Sequence, residues 1–335
     1  MASLRDLGEV EVLRRLAAAR RAPSGTVVDA GDDAAVLRVG PDHELVATTD
    51  TQVEGRHFLP EWLDPAHIGA RLATANLSDL AAMRATARWA LLSLGVRADH
   101  DVEALLDLQR GLAATLADHG AGIVGGNLTA VDGAEWYGLT LLGEVPRGCA
   151  WTRYGARPGD LLLVTGHPGR SGAGARLAQA LGEGARAPEW RALLAAWREP
   201  AARVELAQAI EAGVTAAIDL SDGLAGDLER LCEASGVGAV LDEAAIGVDP
   251  ELSRATRVLS GDVLALTLGP SDDYELLLAI EPVARETVYA AAKKAGVELS
   301  TIGMLTDAPG TLELGGADGR VRALEATGYD HFVSG

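Results

Sequence analysis

The sequence contains very little lysine and cysteine. Only two of its 335 residues are lysines, Lys293 and Lys294, so 27 of the 29 cationic side chains are arginines. Neither lysine lies in a glycine-rich loop, which excludes a P-loop lysine on nucleotide phosphates and leaves no good candidate for a Schiff base. The two cysteines, Cys149 and Cys232, are too few and too far apart for a disulfide framework or a cysteine-based zinc site.

Basic charge, aromatic residues and long apolar runs are also scarce. The chain has 48 acidic against 29 basic residues, a net charge of −19, which argues against binding to nucleic acid or an anionic membrane. No apolar run approaches the roughly 20 residues that span a bilayer, and the first residues do not resemble a signal peptide. We therefore expect a cytoplasmic protein. Aromatic residues make up only 4% of the chain, but a hydrophobic share of 48% still suffices for a packed core.

Length and hydrophobic periodicity predict two domains of mixed secondary structure. At about 100–200 residues per domain, a chain of this length favours two domains. Apolar residues at helical spacing predict helices over 65–83 and 101–117, whereas a short apolar run predicts a strand over 121–124. We expect an α+β or α/β architecture, with one domain over 1–150 and a second over 151–335, because turn-forming residues follow residue 150.

Acidic residues recur at the ends of predicted strands, beside glycine or hydroxyl residues. The five clusters are Asp32 and Asp33; Thr48, Thr49 and Asp50; Ser78 and Asp79; Asp219, Ser221 and Asp222; and Asp272 and Asp273. One acid at a strand end is most often a turn former or a helix cap. Several that converge would raise one another's pKa values unless cations lay between them. Mg²⁺ prefers such oxygen ligands, so the clusters predict a magnesium-dependent nucleotide site that needs no lysine.

Two glycine-rich segments and one histidine are further candidates for ligand contact. Gly125 and Gly126 follow a predicted strand and form either a tight turn or a close approach to a phosphate. The segment 169–174 leads into a helix but lacks the third glycine of the dinucleotide fingerprint, which favours a plain turn over NAD binding. His57, flanked by charged residues, is the best histidine candidate, and no histidine pair has the spacing of a zinc site.

In combination, these motifs resemble the thiamine-monophosphate kinase family, within the superfamily of aminoimidazole-ribonucleotide synthase and selenophosphate synthetase. The matching segments are 31–36, 48–58, 75–83, 125–126, 152–153, 158–160, 165–166, 218–224, 273–276 and 328–332. The resemblance implies a two-domain aminoimidazole-ribonucleotide-synthase-like fold, with N-terminal sheets that pair into a barrel in a homodimer. It implies transfer of the γ-phosphoryl group of ATP to thiamine monophosphate, a small-molecule substrate, in a site that the C-terminal domain completes.

The resemblance also implies roles for individual residues. It places Mg²⁺ ligands at Asp33, Thr48, Thr49, Asp50, Asp79, Asp219 and Asp222. The five aspartates in this set are also the implied catalytic residues. It places ATP contacts at Gly126, Asn127, Arg153 and Ser221. It places substrate contacts at His57, Asp272 and Tyr329. Several Mg²⁺ ions that neutralise both phosphates make a protein nucleophile unnecessary, and a general base is unnecessary because the acceptor phosphate is already ionised at pH 7.

The sequence departs from the family's pattern at four places. The aspartate that the family has after Gly-Gly is Asn127, which removes one negative charge from the implied metal site. The glycine after Ala-Ala-Met is Arg84, a glutamate is shortened to Asp272 behind Pro270, and the segment after Asn127 is longer than the usual turn. Three hypotheses follow: a thiamine-monophosphate kinase with an altered metal set, a relative that phosphorylates or activates another phosphate, carboxylate or amide, and a degenerate nucleotide-binding protein. The retained aspartates argue against the third.

Overall fold

The chain folds into two compact units, each built around its own β-sheet. A computed structural model describes residues 3–18, 21–29, 34–246, 249–316, 318–325 and 329. Unit 1 comprises residues 1–80 and 85–150, and unit 2 comprises residues 81–84 and 151–335. Both units combine helices with strands, which confirms the expected α+β or α/β class. In the described part of the chain, no helix is long and apolar enough to cross a bilayer.

Unit 1 carries a four-stranded sheet and a small two-stranded sheet. Its elements are α1 (Leu4–Leu7), α2 (Glu9–Ala18), β1 (Thr26–Val28), β2 (Val36–Leu37), β3 (His43–Val53), α3 (Pro65–Ala82), β4 (Thr86–Val96), α4 (Val102–Asp118), β5 (Gly122–Ala130) and β6 (Trp136–Pro146). The larger sheet has the strand order β3-β6-β4-β5, in which β4 and β5 are parallel and the other neighbours antiparallel. β1 and β2 form a separate antiparallel pair.

The helices α3 and α4 approach each other closely through two glycines. A Cβ on Gly69 would lie 1.9 Å from the carbonyl oxygen of Leu108, and one on Gly111 would lie 2.0 Å from that of Ala66. α4 begins behind Asp101, whose side chain accepts a hydrogen bond from a first-turn amide, and it buries leucines at helical spacing. Both predicted helices are therefore present, and their close packing requires glycine at two positions.

Unit 2 carries a seven-stranded mixed sheet. Its elements are β7 (Leu161–Thr165), α5 (Arg170–Leu181), α6 (Arg191–Arg198), α7 (Val204–Ala209), β8 (Val214–Leu220), α8 (Leu224–Ser235), β9 (Gly238–Asp242), α9 (Glu243–Ile246), α10 (Pro250–Ala255), α11 (Val263–Leu268), β10 (Glu275–Ile280), α12 (Arg285–Ala295), β11 (Leu299–Thr306), β12 (Leu312–Gly315) and β13 (Val321–Ala323). Short 3₁₀ helices cover Gly182–Arg186, Pro188–Trp190 and Pro282–Ala284. The strand order is β13-β12-β9-β11-β7-β10-β8, with β12 and β9 parallel and the other neighbours antiparallel.

The central strands of unit 2 are deeply buried. β10 lies between β7 and β8, and all six of its residues are buried, a pattern typical of strands covered on both faces. One hydrophobic cluster includes Leu224 and Leu228 of α8 together with inner residues of the sheet. A second cluster joins α5 to Trp190 and α10. The ends of β7, β8 and β10, where several candidate residues lie, are therefore held by a rigid core.

Several predicted clusters lie inside regular elements and not at strand ends. The sequence predicts that a strand ends at Thr48, but β3 continues to Val53, and Asp79 lies within α3. Of the two alternatives for Gly126 and the glycine before it, the tight turn is excluded, because both lie within β5. A Cβ on Gly126 would lie 1.9 Å from the carbonyl oxygen of Leu92, so glycine is needed for β5 to lie against β4.

Arg84 ends α3 in the left-handed conformation that glycine normally adopts. Its φ is +56°. Its amide donates to the Ala81 carbonyl at 2.9 Å and the Ala85 amide donates to the Leu80 carbonyl at 2.8 Å, the hydrogen-bond pattern of a Schellman motif. Gln208 Nε2 donates to the Arg84 carbonyl at 3.2 Å. Backbone geometry alone therefore favours glycine at this position.

Candidate functional site

The first group of candidate residues lies on β3 and α3 of unit 1. Thr48 Oγ1 donates a 2.5 Å hydrogen bond to Asp79, which joins the strand to the helix. Because side chains alternate along a strand, Asp50 lies on the same face of β3 as Thr48. Thr49 lies on the opposite face, and its hydroxyl donates to the Leu139 carbonyl at 3.1 Å. The structure therefore brings Thr48 and Asp79 together, with Asp50 on their side of the sheet, and separates Thr49 from them.

The donor set of this group fits a hard divalent cation. It offers hydroxyl and carboxylate oxygens and no nitrogen or sulfur, the ligand chemistry that Mg²⁺ prefers. Across the described ranges, no group of three or more His, Cys, Asp or Glu side chains lies close enough to hold a metal ion by itself. Asp32 and Asp33 fall outside the described residues. A cation held by this group would complete its shell with water and phosphate oxygens, as Mg²⁺ commonly does.

A cavity of about 640 Å³ in unit 1 borders β5, the strand that carries Gly126 and Asn127. Leu13 and Leu16 of α2 contribute apolar walls, and Gln109 of α4 is one of its few polar groups. Gln109 Nε2 donates to the Leu16 carbonyl at 2.7 Å, whereas its buried Oε1 has no hydrogen-bond partner within the described part of the chain. Mostly apolar walls with a few polar groups are typical of small-molecule sites.

His57 lies in a short loop that follows β3. Its Nδ1 accepts a hydrogen bond from the Val53 amide at 3.1 Å, so the neutral ring carries its proton on Nε2. The loop turns at Gly55, whose φ of +78° favours glycine. At the end of the loop, Phe58 stacks on Tyr137 with ring centroids 5.3 Å apart. The histidine is therefore held by backbone contacts on a loop anchored at both ends.

In unit 2, the loop after β8 is organised by Asp227, which the sequence did not single out. The amides of Ser221, Asp222 and Gly223 each donate to Asp227 Oδ2 at 3.1 Å. Arg230 Nη1 lies 2.5 Å from Asp222 and 2.6 Å from Asp227. Burial raises the pKa of Asp227 above its ordinary value, although the Asp222 amide and Arg230 act in the opposite direction. An acid in the first turn of a helix that follows a glycine is the signal that could have identified it.

Three other candidates of unit 2 lie near or beyond this loop. Asp219 is the penultimate residue of β8, opposite Leu276 of β10, and is only 3% exposed. The Tyr329 amide donates to the Asp222 carbonyl at 3.1 Å, which places this tyrosine at the same loop. Arg153 is exposed in the segment that leads into unit 2. The structure therefore groups Asp222 and Tyr329, with Asp219 at the adjoining strand end.

The adjacent acids Asp272 and Asp273 have different environments. Asp273 is buried and accepts hydrogen bonds from the amides of Gly169 at 2.6 Å and Ser171 at 3.0 Å. Burial raises its pKa to about 7, despite these hydrogen bonds. Asp272 accepts a 2.6 Å hydrogen bond from the Ser171 hydroxyl. The first amides of α5 are thus bound by the protein's own carboxylate. This agrees with a plain turn that leads into the helix at 169–174.

Comparisons with known proteins extend over most of the chain. The protein-family model described as "AIR synthase related protein, N-terminal domain" matches residues 31–145. The family model of the corresponding C-terminal domain matches residues 157–314. The thiamine-monophosphate kinase of Escherichia coli O157:H7 is 36% identical over 305 residues, which cover 91% of each chain.

Solved structures give the same result. The thiamine-monophosphate kinase from Stenotrophomonas maltophilia K279a aligns with a TM-score of 0.79 at 29% identity, covering 92% of this chain and 95% of that one. AaThiL, solved in complex with AMPPCP and TMP, aligns with a TM-score of 0.76 at 26% identity over 99% of both chains. The chain belongs to the thiamine-monophosphate kinase family of AIR synthase related proteins.

Proposed function

We propose that this chain is an ATP- and Mg²⁺-dependent kinase that transfers the γ-phosphoryl group directly to thiamine monophosphate, forming thiamine diphosphate and ADP. The observation that carries this proposal is the 36% identity to a thiamine-monophosphate kinase over 91% of the chain. The AaThiL structure holds AMPPCP, an analogue of ATP, together with TMP, which matches the proposed pair of ligands. A cytoplasmic location, where ATP is available, is part of the proposal.

The proposed Mg²⁺ ligands are carboxylates from both units and one hydroxyl. In unit 1 these are Asp50, Asp79 and the hydroxyl of Thr48, and Asp33 remains part of the proposed set; in unit 2 they are Asp219 and Asp222. Thr49 is left out because its side chain lies on the opposite face of β3. When bound, Mg²⁺ neutralises the phosphates and lets the two anions approach in line. The acceptor phosphate is ionised at neutral pH, so the chain needs only to bind and orient it.

The proposed nucleotide contacts include the β5 segment beside the cavity of unit 1. Gly126 leaves the backbone of β5 without a side chain, and Asn127 offers an amide oxygen where the family has a carboxylate. Arg153 and Ser221 are the proposed contacts from unit 2. In this proposal residues 1–150 bind ATP and Mg²⁺ and form the dimer interface. Residues 151–335 supply further acids and, with His57, the substrate contacts Asp272 and Tyr329.

We further propose that the chain forms a homodimer through the sheet of unit 1. Leu45 on β3 is 52% exposed and Leu91 on β4 is 36% exposed, and the register of the sheet places both on one face. Exposed apolar residues that share one face of a sheet are typical of a surface that packs against another sheet. Size-exclusion chromatography with light scattering should give the mass of a dimer for the wild type. It should give the mass of a monomer for the double variant Leu45→Asp, Leu91→Asp. A monomeric wild type would refute the dimer.

The function is tested by supplying purified protein with ATP, MgCl₂ and thiamine monophosphate and separating the products by chromatography. We expect thiamine diphosphate, detected by fluorescence after oxidation to its thiochrome derivative. The change at Asn127 favours one alternative, a relative that acts on another acceptor, so the same assay includes a panel of phosphates, carboxylates and amides. ADP formed only with another acceptor would support that alternative. MgATP binding in calorimetry with no turnover of any acceptor would indicate a degenerate nucleotide-binding protein.

A further inference from the structure

We propose that Glu135 is a positioning residue that holds both ends of the loop 53–58 and so places His57 for contact with the acceptor. Glu135 lies just before β6, at the end of the segment that joins β5 to β6. The identity of the acceptor rests on the proposed function, whereas the anchoring of the loop rests on contacts within unit 1.

The first end of the loop is held at Glu54. The Glu54 amide donates to the Glu135 carbonyl at 2.9 Å, and the Glu135 amide donates to Glu54 Oε2 at 3.1 Å. The Arg97 guanidinium donates to both carboxylate oxygens of Glu54, and its Nη2 lies 3.6 Å from Glu135 Oε1. Arg97 therefore neutralises two carboxylates that would otherwise repel each other, and this lets Glu54 and Glu135 remain side by side.

The second end of the loop is held through Tyr137. The Tyr137 hydroxyl donates to Glu135 Oε2 at 2.8 Å, and its ring, which is 2% exposed, stacks on Phe58 with an interplanar angle of 17°. The Gly55 amide donates to the Phe58 carbonyl at 2.9 Å, which closes the loop on itself. Glu135 thus fixes the aromatic ring against which the loop ends.

Both carboxylate oxygens of Glu135 accept hydrogen bonds within this network. It is 2% exposed and accepts hydrogen bonds from the Arg97 amide at 2.9 Å and from His100 Nδ1 at 2.9 Å, in addition to that from Tyr137. Burial raises the pKa of Glu135, but hydrogen bonds from His100, Arg97 and Tyr137 outweigh burial and lower it below its ordinary value. A buried carboxylate with several donors is worth more to local geometry than its single contacts suggest.

The variant Glu135→Gln removes the charge and preserves the size of the side chain. An amide cannot accept hydrogen bonds from all three donors, because its NH₂ group would face one of them. We expect KM for thiamine monophosphate to rise about tenfold, while KM for MgATP changes less than about twofold. The matched control is Glu103→Gln, an acid of α4 whose side chain is 57% exposed, which should leave both constants unchanged. An equal rise in both KM values, or no rise, would overturn the proposal.

Hydrogen exchange followed by mass spectrometry gives a second readout that needs no substrate. Peptides that cover residues 53–58 should exchange faster in Glu135→Gln, while peptides of α4 keep the wild-type rate. If protection is lost throughout unit 1, Tyr137→Phe decides, since it removes one donor only: faster exchange confined to the loop supports the proposal, and unchanged exchange overturns it. If the wild type makes no thiamine diphosphate, the proposed function fails, and the exchange comparison still decides whether Glu135 anchors the loop.

Discussion

The acids of unit 1 and those of unit 2 are held in different ways. In unit 1, Asp79 accepts its described hydrogen bond from the hydroxyl of Thr48, and Asp50 lies within the same strand as that threonine. In unit 2, Asp227 accepts hydrogen bonds from three backbone amides and Asp273 from two. Two proposed metal-binding acids of unit 1, Asp50 and Asp79, are thus carried by regular elements, whereas unit 2 uses separate acids to shape its loops.

This difference divides acids that look alike in the sequence into two classes. An acid whose carboxylate oxygens accept hydrogen bonds from backbone amides holds a loop, and few of its lone pairs remain for a ligand. Asp227 and Asp273 are of this kind. An acid beside such a residue, such as Asp222 or Asp272, is positioned by it. Removing a member of the first class should therefore affect stability, and removing a member of the second class should affect activity.

The largest effect is expected for Asp79→Asn in unit 1. If Asp79 holds Mg²⁺ on the reacting phosphates, kcat/KM should fall by at least about a hundredfold, because one unit of ligand charge is lost. The melting temperature should change little. The matched control is Asp118→Asn, at the exposed end of α4, which should keep wild-type activity. Activity of Asp79→Asn within tenfold of the wild type would remove unit 1 from the proposed metal site.

The second prediction contrasts two neighbouring acids of unit 2. Asp227→Asn should lower the free energy of unfolding by about 2–4 kcal/mol, because the NH₂ group of the amide would face Arg230 or the backbone amides and leave buried donors without an acceptor. Asp222→Asn should lower it by less than about 1 kcal/mol, since its ion pair with Arg230 is partly exposed. Chemical denaturation measures both values. Equal losses would show that the two acids do not belong to different classes.

The third prediction concerns the pH dependence that Asp273 imposes on unit 2. Its pKa is raised to about 7, so the folded state binds its proton more tightly than the unfolded chain, where the ordinary value is 3.8. Protonated Asp273 makes its full contribution to the free energy of unfolding below about pH 4. This contribution is lost as the pH rises to about 7, by up to roughly 1.4 kcal/mol per pH unit.

Asp273→Asn removes this titration. The unfolding free energy of the wild type, minus that of the variant, should therefore decrease as the pH rises from about 4.5 to 6.5. Denaturant titrations at several pH values measure it. A difference that stays constant over this range would mean that Asp273 does not carry the raised pKa.

The fourth prediction restores a charge to unit 1. Asn127→Asp should lower the Mg²⁺ concentration for half-maximal activity about two- to tenfold, since a carboxylate attracts the cation more strongly than an amide oxygen. Activity measured against MgCl₂ at fixed ATP tests this. An unchanged Mg²⁺ requirement would show that Asn127 does not face the metal.

The smallest effect is expected at Arg84, outside both sets of acids. Arg84→Gly should raise the free energy of unfolding by about 1 kcal/mol, because a residue with a Cβ is strained at a φ of +56°. Arg84→Ala should bring no such gain, which separates backbone strain from loss of the cation. Thermal unfolding of both variants measures the difference. A destabilised glycine variant would show that the arginine side chain contributes more than the strain costs.

The helices could be predicted more easily than the roles of the acids. α3 and α4 follow from apolar spacing and agree with the predicted 65–83 and 101–117 to within one residue at each end. β3 is predicted too short, because a strand with one exposed face carries polar residues such as Thr49 and Asp50 that resemble a strand end.

Acids that hold loops through distant contacts could not be assigned that role from the sequence. The Gly169 amide that binds Asp273 lies 104 residues away along the chain, so no local pattern predicts this contact. The same is true of Glu135, whose partner Glu54 is 81 residues distant. The family resemblance identifies candidate ligands, whereas the burial and amide contacts that separate Asp272 from Asp273 require the folded chain.

The central claim is that this chain transfers the γ-phosphoryl group of ATP directly to thiamine monophosphate. Phosphorus NMR of one reaction mixture tests it most directly, because ATP, ADP, inorganic phosphate and the two phosphates of thiamine diphosphate give separate signals. The account predicts that thiamine diphosphate and ADP appear in equal amounts, with no inorganic phosphate beyond that of a sample without protein. ATP consumption that yields inorganic phosphate and leaves thiamine monophosphate unchanged would contradict it.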